Sequence, residues 1–152
     1  MSSFVIHRLG PNDVARLHEL NRVFSRAFDD EPTYAQPPSD DYVQRVLGRE
    51  HVVVLTASDD GRVVGGLVAY VLEKLESARS EAYLYDLAVD DPHSRRGIAT
   101  ALIDDLRARC AEMGAWVAFV QADYGDDPAI ALYTKLGTRE DVMHFDLPIP
   151  AR

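Results

Sequence analysis

The stretch LAVDDPHSRRGIATALI, residues 87–103, decides how this chain is read. Leu87 to Val89 end a run of strand-forming residues, a loop follows, and from Gly97 to Met113 the residues Ile98, Leu102, Leu106, Cys110 and Met113 recur at helical spacing. Asp104, Asp105, Arg107 and Glu112 take the opposite face, and Gly114 ends the helix. Strand, glycine-containing loop and helix start make an anion-binding geometry. The first helical turn has backbone N–H groups without partners, the helix dipole favours negative charge, and Gly97 lets an anion approach the backbone. Arg95 and Arg96 add positive charge there. The same residues also describe an ordinary helix start after an arginine-glycine turn, and at this point both readings stand.

Upstream, EAYLYDLAV (81–89) reads as a strand. Strict alternation puts Glu81, Tyr83, Tyr85, Leu87 and Val89 on one face and Ala82, Leu84, Asp86 and Ala88 on the other. Before it, HVVVLTA and VVGGLVAYVL flank a turn containing Asp60-Gly61, a hairpin signal. FVIHRL (4–9) reads as a first strand, and Asn12 or Asp13 can cap a helix carrying Val14, Leu17, Leu20, Val23, Phe24 and Phe28. From Asp29 to Asp41, acids, three prolines and Tyr34 suggest a loop that could border a site, with a second short helix over 41–49. Downstream, WVAFVQA is a strand, Asp127-Pro128 opens a helix that Gly137 stops, and Val142 to Leu147 suggests a last strand. The order β-α-α-β-β-β-α-β-α-β, without linker or repeat, predicts one α/β (α+β) domain over 1–152: a mixed sheet with helices on its faces.

Composition narrows the function. With 152 residues, 47% hydrophobic and 27% charged, the chain has the balance of a folded globular domain. No apolar run approaches the roughly 18 to 20 residues of a membrane span, and MSSFVIHRLG lacks a leader pattern, so the expected location is cytoplasmic. A lone Cys110 forms no internal disulfide and, without clustered His, no structural zinc site; no metal is expected. Sixteen basic residues against 25 acidic ones leave a net charge of −9, which argues against nucleic acid and favours a cationic ligand. Surface acid that only maintains solubility is the alternative.

The loop also carries a resemblance. Ser94-x-x-Gly97-x-Ala99, after a strand ending Leu-Ala-Val and before a helix, resembles the coenzyme A pyrophosphate motif of the GNAT superfamily of acetyltransferases, (Gln/Arg)-x-x-Gly-x-(Gly/Ala). Gly97 and Ala99 match, and Ser94 stands where Gln or Arg is usual. Asp126-x-x-Ala129-x-x-x-Tyr133-x-x-x-Gly137 looks like the second signature, with Asp126 in place of Asn and Thr138 in place of Phe. Further, YLYDLAV, GIATALI, VQADYGDDPAIALYTKLG and EDVMHFD together resemble the aminoglycoside 3-N-acetyltransferase subgroup acting on gentamicin and fortimicin. That resemblance implies a GNAT-like, mostly antiparallel sheet splayed between strands 4 and 5. It also implies acetyl-CoA as cofactor, a polycationic small-molecule amine as substrate, resistance as the outcome and a homodimer, with the last strand as the candidate contact.

It implies roles too. The expected cofactor-binding residues are Leu87, Ala88, Val89, Arg95, Arg96, Gly97, Ile98, Ala99, Thr100, Tyr133 and Lys135. Tyr133 is expected to protonate the leaving thiolate, and a backbone N–H near Leu87 to Val89 to stabilise the oxyanion. For the base, the family's usual positions hold Tyr83 and Tyr85, so carboxylates come forward: Asp86, with Glu81, Asp123 and Asp126 nearby. Asp86 on an apolar face would have a raised pKa; a structural acid bonded to backbone is the other reading, and a water relay could replace a base altogether. Asp126 is counted with Tyr133 and Asp86 among the catalytic candidates. Glu31, Glu73, Tyr85, Asp123, Asp126 and Asp127 are the expected substrate contacts, Asp127 being at least as well suited to capping the helix. Cys110, on the buried stripe, is expected to be inert. Acetylation of another small amine or a protein amine, and a non-catalytic acyl-CoA-binding module, are the competing functions.

Overall fold

The computed structural model describes residues 3–94 and 96–151. Arg95, one of the expected cofactor-binding residues, lies outside the described residues. The chain divides into two compact units, one ending at Gln121 and the other beginning at Ala122.

The first unit holds β1 (Phe4–Arg8), α1 (Val14–Phe28), α2 (Glu31–Tyr34), α3 (Asp40–Leu47), β2 (Val52–Asp59), β3 (Arg62–Glu73), β4 (Ser80–Val89), a 3-10 turn (Asp91–His93), α4 (Ile98–Glu112) and β5 (Ala115–Val120). The strands form one sheet in the order β1-β2-β3-β4-β5. The first three pairings are antiparallel and β4–β5 is parallel. The β2–β3 turn has Asp60 and Gly61 both at positive φ, the geometry that matches the twist of a two-residue hairpin.

Central strands carry apolar residues on both faces, so both faces need cover. Val52, Val54, Val68 and Ala88 cluster with Leu20, Val23 and Phe24 of α1 and Val43 and Leu47 of α3. The alternate residues Val53, Leu55, Leu67 and Ala69 are buried on the other face, where α4 packs with Ile98, Leu102, Leu106 and Cys110. Each fully buried Leu, Val or Phe contributes about 1.5–3 kcal/mol relative to exposure. The Gly65-Gly66 pair is imposed by this packing. A Cβ on Gly66 would stand 2.5 Å from the Leu55 carbonyl oxygen and 2.6 Å from Leu20 Cδ1, and one on Gly65 2.9 Å from the Ala88 carbonyl oxygen.

Three expectations are corrected. The segment after Asp29 contains a turn of helix, α2, because Asp30 accepts from both the Thr33 N–H and hydroxyl and Pro32 sits in the first turn. The alternation along the fourth strand breaks at a β-bulge: Leu84 pairs with Ala69 and Asp86 with Val68, leaving Tyr85 as the extra residue. Leu67 and Ala69 share a face of β3, so their partners Leu87 and Leu84 also share one. Val68 and Tyr70 share the other, so Asp86 lies with Tyr83, not with Leu84, and Leu87 not with Tyr83.

The third correction falls in the second unit, which holds α5 (Asp127–Leu136) and a tail. Residues 138–151 form no ladder, so the expected strand at Val142 to Leu147 is not a paired strand. Met143, Phe145, Leu147 and Ile149 alternate as in a strand, yet each is more than 70% exposed.

Candidate active site

β4 parts from β5 partway along. Their ladder ends at Leu84↔Val120, while β4 continues to Val89. This is the expected splay, and it leaves the backbone groups of Tyr85 to Val89 without a strand partner on that side. Leu87 and Val89 are half-buried there and Ala88 is buried against the core.

The bulge sits at the mouth of the splay. It turns Asp86 onto the face covered by α1 and α2, among aromatic rings: Tyr85 packs edge-on to Tyr70 (5.9 Å between centroids) and Tyr83 (5.5 Å), and Tyr83 stacks on Phe119 (4.6 Å). Desolvation alone pushes the Asp86 carboxyl above the ordinary carboxylate value. Burial, reinforced by the Asp86 charge, pushes the Tyr34 phenol up to about 12 and also raises Tyr70. Asp86 is therefore a half-buried acid beside neutral phenols, and among the described residues no cation holds it ionised. Tyr34 and Tyr70 were not among the expected site residues; Tyr34 was visible only as an aromatic in a loop.

Past Val89 the loop is fastened at both ends. Asp90 N–H donates to the Val64 carbonyl (2.8 Å), and its carboxylate accepts from Arg26 Nε and Nη2 (3.3 and 3.0 Å). Ser94 Oγ donates to the Asp91 carbonyl (2.9 Å), so this hydroxyl has a local partner. Gly97 adopts left-handed φ 78°, ψ 10° as the N-cap of α4, with nothing within 4 Å of the place a Cβ would take. The amides of Ile98, Ala99 and Thr100 have no intrahelical partners, and the first turn of α4 holds no acid. Only the backbone of Ile98 is available, since its side chain is buried. A left-handed glycine, free first-turn amides and an open approach fit a pyrophosphate, so the loop and the end of β4 can hold the expected cofactor.

Glu31 lines an open hollow of about 360 Å³ with Arg22, Ser25, Arg26 and Asp29, so arginines share the space expected to be acidic. Glu73 is exposed at the far end of β3, paired with Ser80, five ladder positions from Val68↔Asp86. Among the described residues no group of three or more His, Cys, Asp or Glu could hold a metal ion, and no helix is long and apolar enough to cross a membrane. Cys110 is buried, and burial raises its thiol pKa.

In the second unit, Asp126 rather than Asp127 is the N-cap of α5, its carboxylate accepting from Ala129 N–H (3.4 Å). Asp126 thus has a structural duty that the sequence reading gave to Asp127. Asp123 and Asp127 are exposed, as is Lys135. Tyr133 is half-buried, and burial with the Asp126 charge raises its phenol pKa, keeping it protonated at neutral pH. Tyr124 donates to Asp141 and lies under Arg139.

Comparison with known proteins places the chain among acetyltransferases. No curated protein sequence matches the chain. An aminoglycoside acetyltransferase, HMB0005, from an uncultured soil metagenomic sample is 49% identical, with 98% of this chain and 100% of that one covered at TM-score 0.95. A second such enzyme, meta-AAC0020, from an uncultured soil metagenomic sample and in complex with sisomicin, is 34% identical, with 97% of each chain covered at TM-score 0.90. A ribosomal-protein-alanine N-acetyltransferase from Brucella melitensis biovar Abortus 2308 shares the fold at 22% identity and TM-score 0.75, over 97% of this chain and 100% of that one. The sequence profile of the Acetyltransferase (GNAT) family matches residues 15–138, and the chain belongs to that family.

Proposed function

We propose that this protein transfers the acetyl group of acetyl-CoA to the 3-amino group of an aminoglycoside in the cytoplasm, conferring resistance. The observation that carries this reading is the 49% identity, over essentially the whole of both chains, to an aminoglycoside acetyltransferase. The same coverage supports reading 1–152 as a single acetyltransferase domain. Acetyl-CoA supplies the acetyl group as a thioester; a C–N bond forms as the C–S bond breaks. Asp86 takes a proton from the substrate ammonium, its raised pKa bringing it closer to the amine. A backbone N–H among Leu87 to Val89 stabilises the developing oxyanion. The Tyr133 phenol gives a proton to the departing thiolate; the second proton that nitrogen sheds as the amide forms passes to solvent, from which the tyrosine is reprotonated. The exposed phenol of Tyr85 and the carboxylates of Glu31, Glu73, Asp123, Asp126 and Asp127 are the proposed contacts for the substrate's ammonium groups, and Lys135 for the anionic cofactor.

The working form we propose is a homodimer joined through the tail segment around residues 142–147. The support is a strand-like tail whose alternating apolar side chains are exposed, and a chain can cover such a pattern by pairing with a second copy. Mass spectrometry and NMR of the product from gentamicin test the main proposal. Acetyl on the 3-amino nitrogen is expected, together with a raised inhibitory concentration in cells expressing the protein. Acetyl at another nitrogen would refute the regiochemistry, and unchanged susceptibility would refute the resistance role.

A further inference from the structure

Arg96, counted among the cofactor contacts, has a partner in the protein. Its Nη1 donates to Asp59 Oδ2 at 2.7 Å, and both side chains are about three-quarters shielded from solvent. His93 Nε2 stands 4.0 Å from the same oxygen, and Ser3 Oγ donates to Oδ1 at 3.5 Å. Asp59 is itself held rigidly. It ends β2, faces Phe4 of β1 and Arg62 of β3 across their ladders, and leads into the Asp60-Gly61 turn. The Arg96 guanidinium keeps the Asp59 carboxyl below the usual carboxylate range, so it is ionised at neutral pH.

Arg96 immediately precedes Gly97, whose left-handed conformation sets where the first-turn amides of α4 point. We propose that Asp59 is a positioning residue for the coenzyme-binding loop: it holds Arg96 at the β2–β3 turn and so fixes the backbone that presents those amides. The proposal rests on the reading of this loop as the acetyl-CoA site. In it, Arg96 acts through its tether and not as a phosphate ligand, and attraction for the anion comes from the amides and the helix dipole. With Asp90 fastened to Arg26 and Val64, the loop is anchored at both ends to elements that carry no part of the cofactor site.

Calorimetric titration of coenzyme A into the full chain and into Asp59→Asn, Arg96→Gln and the double variant tests this. Each single variant should weaken binding about three- to tenfold, the size expected for losing one half-buried charge-assisted pair. The double variant should be no weaker than either, since both changes cut one tether. In turnover, Asp59→Asn should raise KM for acetyl-CoA far more than it lowers kcat, with partial recovery in Asp59→Glu. If Asp59→Asn binds as well as or better than wild type while Arg96→Gln binds less well, Arg96 is a phosphate ligand and the proposal fails; additive losses also overturn it. Should Asp59→Asn not fold, exchange of the bonded amide of Ala101, which donates to the Gly97 carbonyl, in coenzyme-free Arg96→Gln decides: faster exchange supports the tether and unchanged exchange refutes it. A wild type that does not bind coenzyme A refutes the cofactor reading and this proposal with it, whereas wild-type binding with an indifferent Asp59→Asn refutes the positioning alone.

Discussion

The two units are ordered by different physics. The first buries both faces of its central strands, packs them closely at Gly65 and Gly66, and fixes its loop with two ion pairs. In the second, no described residue is buried, and order comes from local devices: the Asp126 cap, Pro128 in the first turn and the Arg139–Asp141 pair. Proximity in a folded core can hold a carboxylate at an unfavourable pKa; local caps cannot. The Asp86 acid therefore belongs to the first unit, and the second offers charge at its surface.

The sharpest way to test this contrast is Asp86→Asn. If the first unit holds the base, kcat/KM at neutral pH falls by about 10²- to 10⁴-fold, and the acidic limb of the pH profile disappears. Stability should move the other way. The raised pKa means that the folded protein binds the Asp86 proton more tightly than the unfolded chain does. Between the ordinary carboxylate value and the raised one, stability thus falls as pH rises, and above that window the full penalty persists. Removing the ionisable group lifts it, so Asp86→Asn should melt higher than wild type at pH 7. A lower melting temperature with intact activity would make Asp86 a structural acid.

Gly66→Ala probes the other property of the first unit, its packing density. A methyl driven against the Leu55 carbonyl and Leu20 should cost about 3 kcal/mol, read by urea denaturation. A change under about 0.5 kcal/mol, ordinary for an unconstrained site, would show that β3 can shift to admit it. In the second unit, Phe145→Asp should leave thermal stability nearly unchanged while shifting the protein from dimer to monomer in light scattering. Its dimer dissociation constant should rise at least about tenfold, as for an apolar anchor at an interface. A wild type that is monomeric at all concentrations would refute the dimer.

The smallest effect is expected at Asp126. Asn caps helices as well as Asp does, so Asp126→Asn isolates the charge, and KM for a polycationic amine should rise about three- to tenfold with KM for acetyl-CoA unchanged. Equal effects on both would remove Asp126 from substrate recognition.

Most of the sheet was legible because each strand announces itself locally, in β-branched runs bounded by turn residues, and α4 because its apolar stripe is long. The bulge at Tyr85 was not. It follows from the register between β3 and β4, which no property of EAYLYDLAV alone specifies, and one extra residue moved Asp86 to the other face. The missing last strand has a different cause: Val142 to Leu147 does alternate, but a ladder also needs a partner. The loop LAVDDPHSRRGIATALI displayed its glycine and its helix start, whereas the partner of Arg96 lies 37 residues away and depends on the fold.

The most direct test of the whole account is coenzyme A thiol release by the purified protein with acetyl-CoA and, in parallel, gentamicin, kanamycin, spermidine and a lysine peptide as acceptors. The account predicts turnover with gentamicin well above that with spermidine or the peptide, greatly slowed in Tyr133→Phe. Tight acetyl-CoA binding with no release of coenzyme A thiol in the presence of any aminoglycoside would contradict it.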